Sequence, residues 1–389
     1  MSIHKRETAK GPRYDVRLRD LDGKTYTRTW RTKDEAKAYE RAELTARDRG
    51  DWIDPAARAR TFDDVAAEWL ASNPAKRPVT VARDRGAIER HLSPAFGSRR
   101  IGAIQPKDLQ ALVHELSGKM VASSTIRTYA VAAAVFRYAV DRDYIAKSPT
   151  RTVKLPKVGR ASVHVFTPEE LVALADAMPV EHAPMVWLGA VLGLRWGEVA
   201  ALHVRDVDLL AGELHVRHSL TKDGRGRTVV GAPKSDAGTR TIAIPAPLVQ
   251  VLAAHLRTRQ LTAADPDALL FPDGKGGPLV ASNWRRRVWL PAALAAGVGC
   301  WVTRTGAPWA SAAEDGVRRY EGAVFHDLRR TSATGLVAEG VDVKTAQARL
   351  GHSAVRLTLE LYAQAVPAEE RRAADLLSAR LMPGLRRSG

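Results

Sequence analysis

The residues best equipped for chemistry lie near the end of the chain. They read His326-Asp327-Leu328-Arg329-Arg330-Thr331, then Leu350-Gly351-His352, then Tyr362. This ordered set brings cations and imidazoles around one phenol, the equipment for attacking a phosphodiester. Such an ester is already an anion, and displacing one of its oxygens builds further negative charge. Preorganised cations aimed at those oxygens lower the barrier most, and the planar donor fork of arginine matches phosphate geometry. His326 and Arg329 are three apart, so a helix puts them on one face. Gly351 follows the helical run from Val343 to Leu350 as a C-terminal stop, placing His352 just past the helix end. Tyr362 comes ten residues later, close enough to fold back onto the same pocket. A phenol ionises near pH 10, so a base or a cationic field must help it.

Two upstream segments extend the set. Gly193-Leu194-Arg195-Trp196-Gly197-Glu198 follows an apolar run from Met185 to Leu194. Pro233-Lys234-Ser235-Asp236-Ala237-Gly238-Thr239-Arg240 reads as a tight turn into the strand Thr241-Ile242-Ala243-Ile244. With these the chain resembles the tyrosine recombinase, or phage integrase, family over roughly residues 165 to 366. That family's ordered set is Arg, Glu or Asp, Lys, His, Arg, His and Tyr. Here it reads Arg195, Glu198, Lys234, His326, Arg329, His352 and Tyr362, with no member missing.

The resemblance implies roles that the chemistry supports. Arg195 and Arg329 clamp the phosphate, and Tyr362 attacks it, leaving a 3′-phosphotyrosyl bond and a free 5′-hydroxyl. The link conserves bond energy, so rejoining needs no ATP, and Gly274-Lys275-Gly276-Gly277 lacks P-loop spacing. Lys234 protonates the departing oxygen, with the turn residue Lys222 as its rival. His326 serves as a base or as a donor to a nonbridging oxygen, and His352 hydrogen-bonds the phosphate. Glu198 orients Arg195 or His326.

The elements that must position these residues suggest a mainly α, multidomain (α+β) chain. Residues 1–58 read as a small β-sheet-plus-helix module. Tyr14 to Arg19 alternates with period two, Asp22-Gly23 marks a turn, Lys24 to Arg31 returns, and Lys33 to Ala46 is helical. Arg17, Arg19, Arg28 and Arg31 would dress a ribbon suited to a DNA groove; an ordinary solvated sheet face is the plainer reading. In the family, a module of this size and place binds separate arm sites.

Residues 60–150 read as a helical-bundle, core-site DNA-binding domain. Thr61 and Asp64 form a capping box, and Ile126, Tyr129, Ala133, Phe136 and Val140 form the stripe of its last helix. Lys76, Arg77, Arg83, Arg85, Arg127 and Arg137 lie off the stripes. Residues 147–160 form a linker whose Pro149 and Pro156 prevent a helix; Lys147, Arg151, Lys154 and Lys157 make it a basic strap along a backbone. Residues 165–389 form a mainly α catalytic domain with a small antiparallel sheet near Glu213 to Ile244 and a C-terminal tail. Thr167-Pro168-Glu169-Glu170 caps its first helix, and Gly297 to Gly322 reads as a long loop.

Composition bounds the partners. Sixty Lys and Arg against 43 Asp and Glu give a net charge of +17, which points to a polyanion such as nucleic acid. A single cysteine, Cys300, excludes internal disulfides and cysteine-rich zinc sites and fits a reducing cytoplasm. No signal-peptide core opens the chain, and the apolar run Met185–Leu194 is too short to span a bilayer. His114-Glu115 lacks the second histidine of a zincin helix. His215 and His218 read as exposed strand positions, and Asp206 and Asp208 as a turn. No metal and no cofactor are expected.

The expected function is therefore a site-specific integrase of a phage or integrative element, located in the cytoplasm with the nucleoid. The resemblance implies as partners double-stranded DNA at core and arm sites, further copies forming a homotetramer, a host DNA-bending protein and an excision factor. The other readings are a type IB-like topoisomerase, an Xer-type resolvase without the N-terminal module, and a non-catalytic DNA-binding regulator.

Overall fold

The computed structural model describes residues 2–19, 23, 25–49, 52–159, 163–223, 226–233, 236–303, 318–351, 353, 354 and 356. It divides into two compact units, Met1–Arg160 and Ala161–Gly389. The buried apolar residues gather into three separate clusters, two in the first unit and one in the second. Helices dominate and the sheets are small and antiparallel, so the fold is mainly α, of the α+β kind.

The first unit opens with an antiparallel sheet, β1 (Ser2–Thr8), β2 (Gly11–Arg19) and β3 (Thr25–Trp30), in the order β1-β2-β3, followed by α1 (Lys33–Asp48). Val16, Leu18 and Ala36 are buried between sheet and helix, with Tyr14, Tyr26, Trp30 and Tyr39 around them. β1 was not expected. Only Ile3 of its alternate positions is apolar, and it lies on the sheet edge, so the strand carries little hydrophobic signal.

Next come α2 (Pro55–Arg58), α3 (Phe62–Ala71), α4 (Pro78–Ala87), α5 (Ser93–Phe96), α6 (Pro106–Lys119) and α7 (Ala122–Asp141), with a wider π turn at Ile88–Leu92. The Thr61–Asp64 capping box opens α3. Phe62 and Phe136 are fully buried with ring centroids 5.9 Å apart, which joins α3 to α7. The buried face of α7 is rotated from the expected stripe: it comprises Thr125, Thr128, Tyr129, Val131, Ala132, Val135, Phe136 and Ala139, and Ile126, Ala133 and Val140 sit at its margin. Two threonines occupy core positions there, which a search for apolar types alone passes over. The strap is docked rather than free. The Gln110 side chain both accepts from the Lys154 N–H at 2.8 Å and donates to its carbonyl at 3.1 Å, and the Tyr129 hydroxyl donates to the Thr150 carbonyl at 2.7 Å.

The second unit begins with α8 (Pro168–Asp176), opened by the Thr167–Glu170 capping box, then α9 (Pro184–Ala190) and the single turn α10 (Trp196–Val199). After a 3₁₀ turn at Val204–Asp206 come β4 (Val207–Asp208), β5 (Glu213–Val216), β6 (Ser219–Lys222), β7 (Thr228–Gly231) and β8 (Arg240–Ala243). The expected single sheet region is two: a sheet ordered β4-β5-β8 and a separate β6–β7 hairpin. α11 (Ala246–Thr258), α12 (Ala281–Trp284) and α13 (Leu290–Ala295) follow. The segment expected to be a loop has paired ends, because β9 (Gly299–Val302) and β10 (Arg319–Gly322) form an antiparallel hairpin. α14 (Phe325–Ala338) and α15 (Val343–Leu350) complete the unit. α14 packs on α9 so closely that a Cβ on Gly189 would sit 3.0 Å from Leu328.

Candidate active site

Four elements converge on the C-terminal end of α15: the bend after α9, α10, β8 and α14. Gly351 ends this helix in the left-handed conformation at φ 63°, as the Leu-Gly-His motif suggests. The last carbonyls of a helix have no partners inside it and carry partial negative charge. Here three arginines from three elements bind three successive carbonyls. Arg240 of β8 donates through Nε to the Arg349 carbonyl at 2.8 Å, Arg329 of α14 donates to that of Leu350, and Arg195, ahead of α10, donates to that of Gly351 at 3.2 Å. Arg329 also donates to the Gly193 carbonyl. Gly193 itself has φ 66°, and a Cβ there would lie 2.5 Å from the Leu350 side chain, so the bend after α9 and the end of α15 meet through glycine.

Among the described residues Glu198 is the only carboxylate bonded to any of these arginines, and it bonds two of them, Arg195 and Arg240. It is 2% exposed and accepts from the Arg195 N–H at 3.0 Å, from Arg195 Nη1 at 2.7 Å and from Arg240 Nη2 at 3.0 Å. Burial alone would raise its pKa, but Arg240 and then Arg195 outweigh burial and hold it below the ordinary carboxylate range. Glu198 is thus bonded to Arg195 and to Arg240, and among the described residues no bond joins it to His326.

Arg329 is 2% exposed and among the described residues hydrogen-bonds only carbonyls. Burial, then the nearby Arg195 charge, pulls its pKa down to about 9, so it stays a cation at neutral pH. The buried Arg240 and Arg329 and the partly exposed Arg195 stand against one carboxylate, and that excess of positive charge favours an anion. Burial, followed by Arg329, Arg330 and Arg195, lowers the pKa of His326, so its imidazole is neutral at pH 7. A neutral ring can accept a proton.

Arg195, Glu198, His326 and Arg329 are thus brought together. Lys234, His352 and Tyr362 lie outside the described residues. Arg240 closes the expected turn and opens β8, and its partnership with Glu198 is not among the expected site contacts. Its signal was phase: it shares strand parity with Ile242 and Ile244, both buried, so its side chain had to be buried and paired.

The expected DNA-contacting residues divide by face. Arg17 and Arg19 are exposed on the sheet face opposite α1, in register with Ser2 and Thr27 and with Thr25. Arg28 pairs with the buried Val16 and so belongs to the other face, on which α1 packs. The open face instead gains Arg6 and Arg13, which pair with each other. Arg127 is exposed on α7, and Arg151 and Lys154 are exposed on the strap.

Comparison with known proteins agrees with this geometry. The model of the phage integrase family matches residues 164–369, and that of the phage integrase central domain matches residues 62–176. A tyrosine recombinase XerC-like protein of Caldanaerobacter subterraneus subsp. tengcongensis is 25% identical over 92% of this chain and 93% of its own length. A putative prophage phiRv2 integrase of Mycobacterium tuberculosis is 27% identical over 92% and 90%. The fold is similar to a lambda integrase tetramer bound to a Holliday junction, with a TM-score of 0.55 and 16% identity over 92% of this chain and 94% of that one. With a family match spanning more than half of its length, the chain belongs to the phage integrase family and is a site-specific tyrosine recombinase.

Proposed function

We propose that the protein integrates or excises a mobile element by cutting and rejoining double-stranded DNA through Tyr362. Arg195 and Arg329 hold the nonbridging oxygens of the scissile phosphate, exchanging carbonyl contacts for phosphate ones. The Tyr362 oxygen bonds to phosphorus as the bond to the 5′-oxygen breaks. The phenol proton goes to neutral His326, and the 5′-oxygen takes a proton from Lys234. His352 donates to the phosphate. A 5′-hydroxyl of a partner strand reverses these steps and releases Tyr362, so no cofactor or external energy source is consumed. The observation that carries this reading is Arg329: a buried cation beside Arg195 with no carboxylate bonded to it among the described residues.

Residues 1–58 bind arm sites through the open face bearing Arg17 and Arg19, residues 60–150 bind core sites, and residues 165–389 carry the chemistry. Arg127, Arg151 and Lys154 are exposed and suited to phosphate. Four copies act on two sites, as the lambda tetramer suggests. A host DNA-bending protein and an excision factor assist, and the protein works in the cytoplasm at the nucleoid. Among the described residues no helix is long and apolar enough to cross a membrane.

Recombination between two core sites on DNA flanking the gene tests this. Joint products are expected from two-site substrates, and relaxation of supercoils without exchange contradicts integration. Removal of residues 1–58 is expected to weaken arm-site binding and spare core cleavage; loss of core cleavage contradicts the arm assignment.

A further inference from the structure

Away from the arginine cluster, three side chains converge with no part in the chemistry above. His203 and Asp206 bracket the 3₁₀ turn after α10, and His218 stands between β5 and β6. It had been expected on an exposed strand. His218 is instead half-buried and faces inward, because the strand breaks at Val216. His215 is likewise half-buried rather than exposed, and bonds Thr241 at 2.9 Å, apart from this group.

The Nδ1 atoms of His203 and His218 approach the same oxygen, Oδ2 of Asp206, at 3.5 and 3.9 Å. Both Nδ1 atoms are buried and neither has a hydrogen-bond partner. Asp206 is 1% exposed and His203 is 9% exposed. One donor atom from each of the three lies within 4.8 Å of the others. A shared proton does not suit these gaps, since an N–H···O bond spans about 2.7–3.2 Å. A tetrahedral cation with bonds of about 2.0–2.1 Å separates its ligands by about 3.4 Å. Oδ2 also accepts the His203 N–H at 3.0 Å, which fixes its direction, and Arg217 engages Oδ1 at 3.4 Å, leaving Oδ2 to face the imidazoles.

We propose that His203, Asp206 and His218 form a binding site for a borderline divalent metal ion of the zinc class, with a structural role. Two imidazole nitrogens and one carboxylate suit zinc, cobalt or nickel and disfavour the harder magnesium and calcium. The ion fastens the base of the β6–β7 hairpin to the segment following α10. α10 touches β6 closely, since a Cβ on Gly197 would lie 2.9 Å from the Ser219 hydroxyl. One fastening would thus steady both the helix carrying Glu198 and the hairpin that runs on toward Lys234.

The test uses the untagged full chain, stripped by a chelator and titrated with Co²⁺. One Co²⁺ per chain is expected, with a visible ligand-field band that Zn²⁺ abolishes. Losing an outer-shell partner costs about 10–100-fold in metal affinity, so His203→Gln and His218→Gln should each lose at least about 100-fold. His215→Gln should bind as the wild type does. X-ray absorption of the Zn²⁺-loaded wild type needs no variant and should show two imidazole nitrogens in the shell. Absence of saturable binding by the wild type, an all-oxygen shell, or folded His203→Gln and His218→Gln proteins that bind unchanged would each overturn the proposal.

Discussion

Arg240 offers a quantitative test of how the site is held. Its side chain is 7% exposed and that of Glu198 is 3% exposed, with contacts of 3.0 and 3.4 Å between them. At an effective dielectric near 20, charges about 4 Å apart attract by about 4 kcal/mol. Desolvation offsets much of that, but breaking a buried pair from one side costs about 3–5 kcal/mol because the other charge is stranded. Arg240→Met should therefore destabilise the second unit by about 3–5 kcal/mol. Adding Glu198→Gln should recover part of this, giving a coupling of about 1–3 kcal/mol in a double-mutant cycle. The Arg195 side chain is 39% exposed, so solvent screening should reduce its coupling to Glu198 to about 1 kcal/mol or less. The assay is urea unfolding of the full chain, following the transition that Glu198→Gln shifts. Additivity of Arg240→Met and Glu198→Gln within about 0.5 kcal/mol would refute the reasoning, as would an equal or larger coupling for Arg195.

Arg329→Lys replaces a fork by a point charge and should slow single-turnover cleavage of a core-site duplex about 100- to 1,000-fold, whereas an unchanged rate would remove Arg329 from the clamp. His182, His255 and His326 all have pKa values lowered first by burial, so the unfolded chain binds protons that the folded one refuses. Their stabilising contribution is present above about pH 6.5 and lost as pH falls through that value toward the folded pKa values; urea midpoints should drop between about pH 7.5 and pH 5, and a rise would contradict the sign. Gly351→Ala forces an alanine into φ 63° with its Cβ 2.8 Å from the Ala237 carbonyl, and should cost at least about 1–2 kcal/mol in thermal unfolding. DNA binding should weaken steeply as salt rises, with a slope that shrinks when Arg17 and Arg19 are replaced; an unchanged slope would argue against phosphate contacts there.

What could be read from the chain follows from which signals are local. The capping boxes at Thr61 and Thr167 and the stop at Gly351 depend on neighbours within a turn, and they stand where the sequence puts them. Arg195, Glu198, His326 and Arg329 were legible as a set because their types suit the chemistry and their order resembles that of the phage integrase family. Partnership across the fold was not legible. That Arg240 shares Glu198 and caps Arg349 joins residues 42 and 109 positions apart. The paired ends of the β9–β10 segment, the break before His218, and the face to which Arg28 belongs depend on register and on what packs opposite. Threonines at 125 and 128 enter the α7 core because position outweighs side-chain type there.

The central claim is that Tyr362 cuts DNA while Arg195 and Arg329 hold the phosphate. A nicked core-site suicide duplex tests it most directly: the short fragment that carries the freed 5′-hydroxyl diffuses away after cleavage, so religation fails and the 3′-phosphotyrosyl intermediate accumulates. The account predicts a protein–DNA band on a denaturing gel, its linkage mapped to Tyr362 by mass spectrometry. The band should be lost in Tyr362→Phe while that variant still binds the duplex. A band that persists in Tyr362→Phe, or none on DNA that the protein binds, would contradict it.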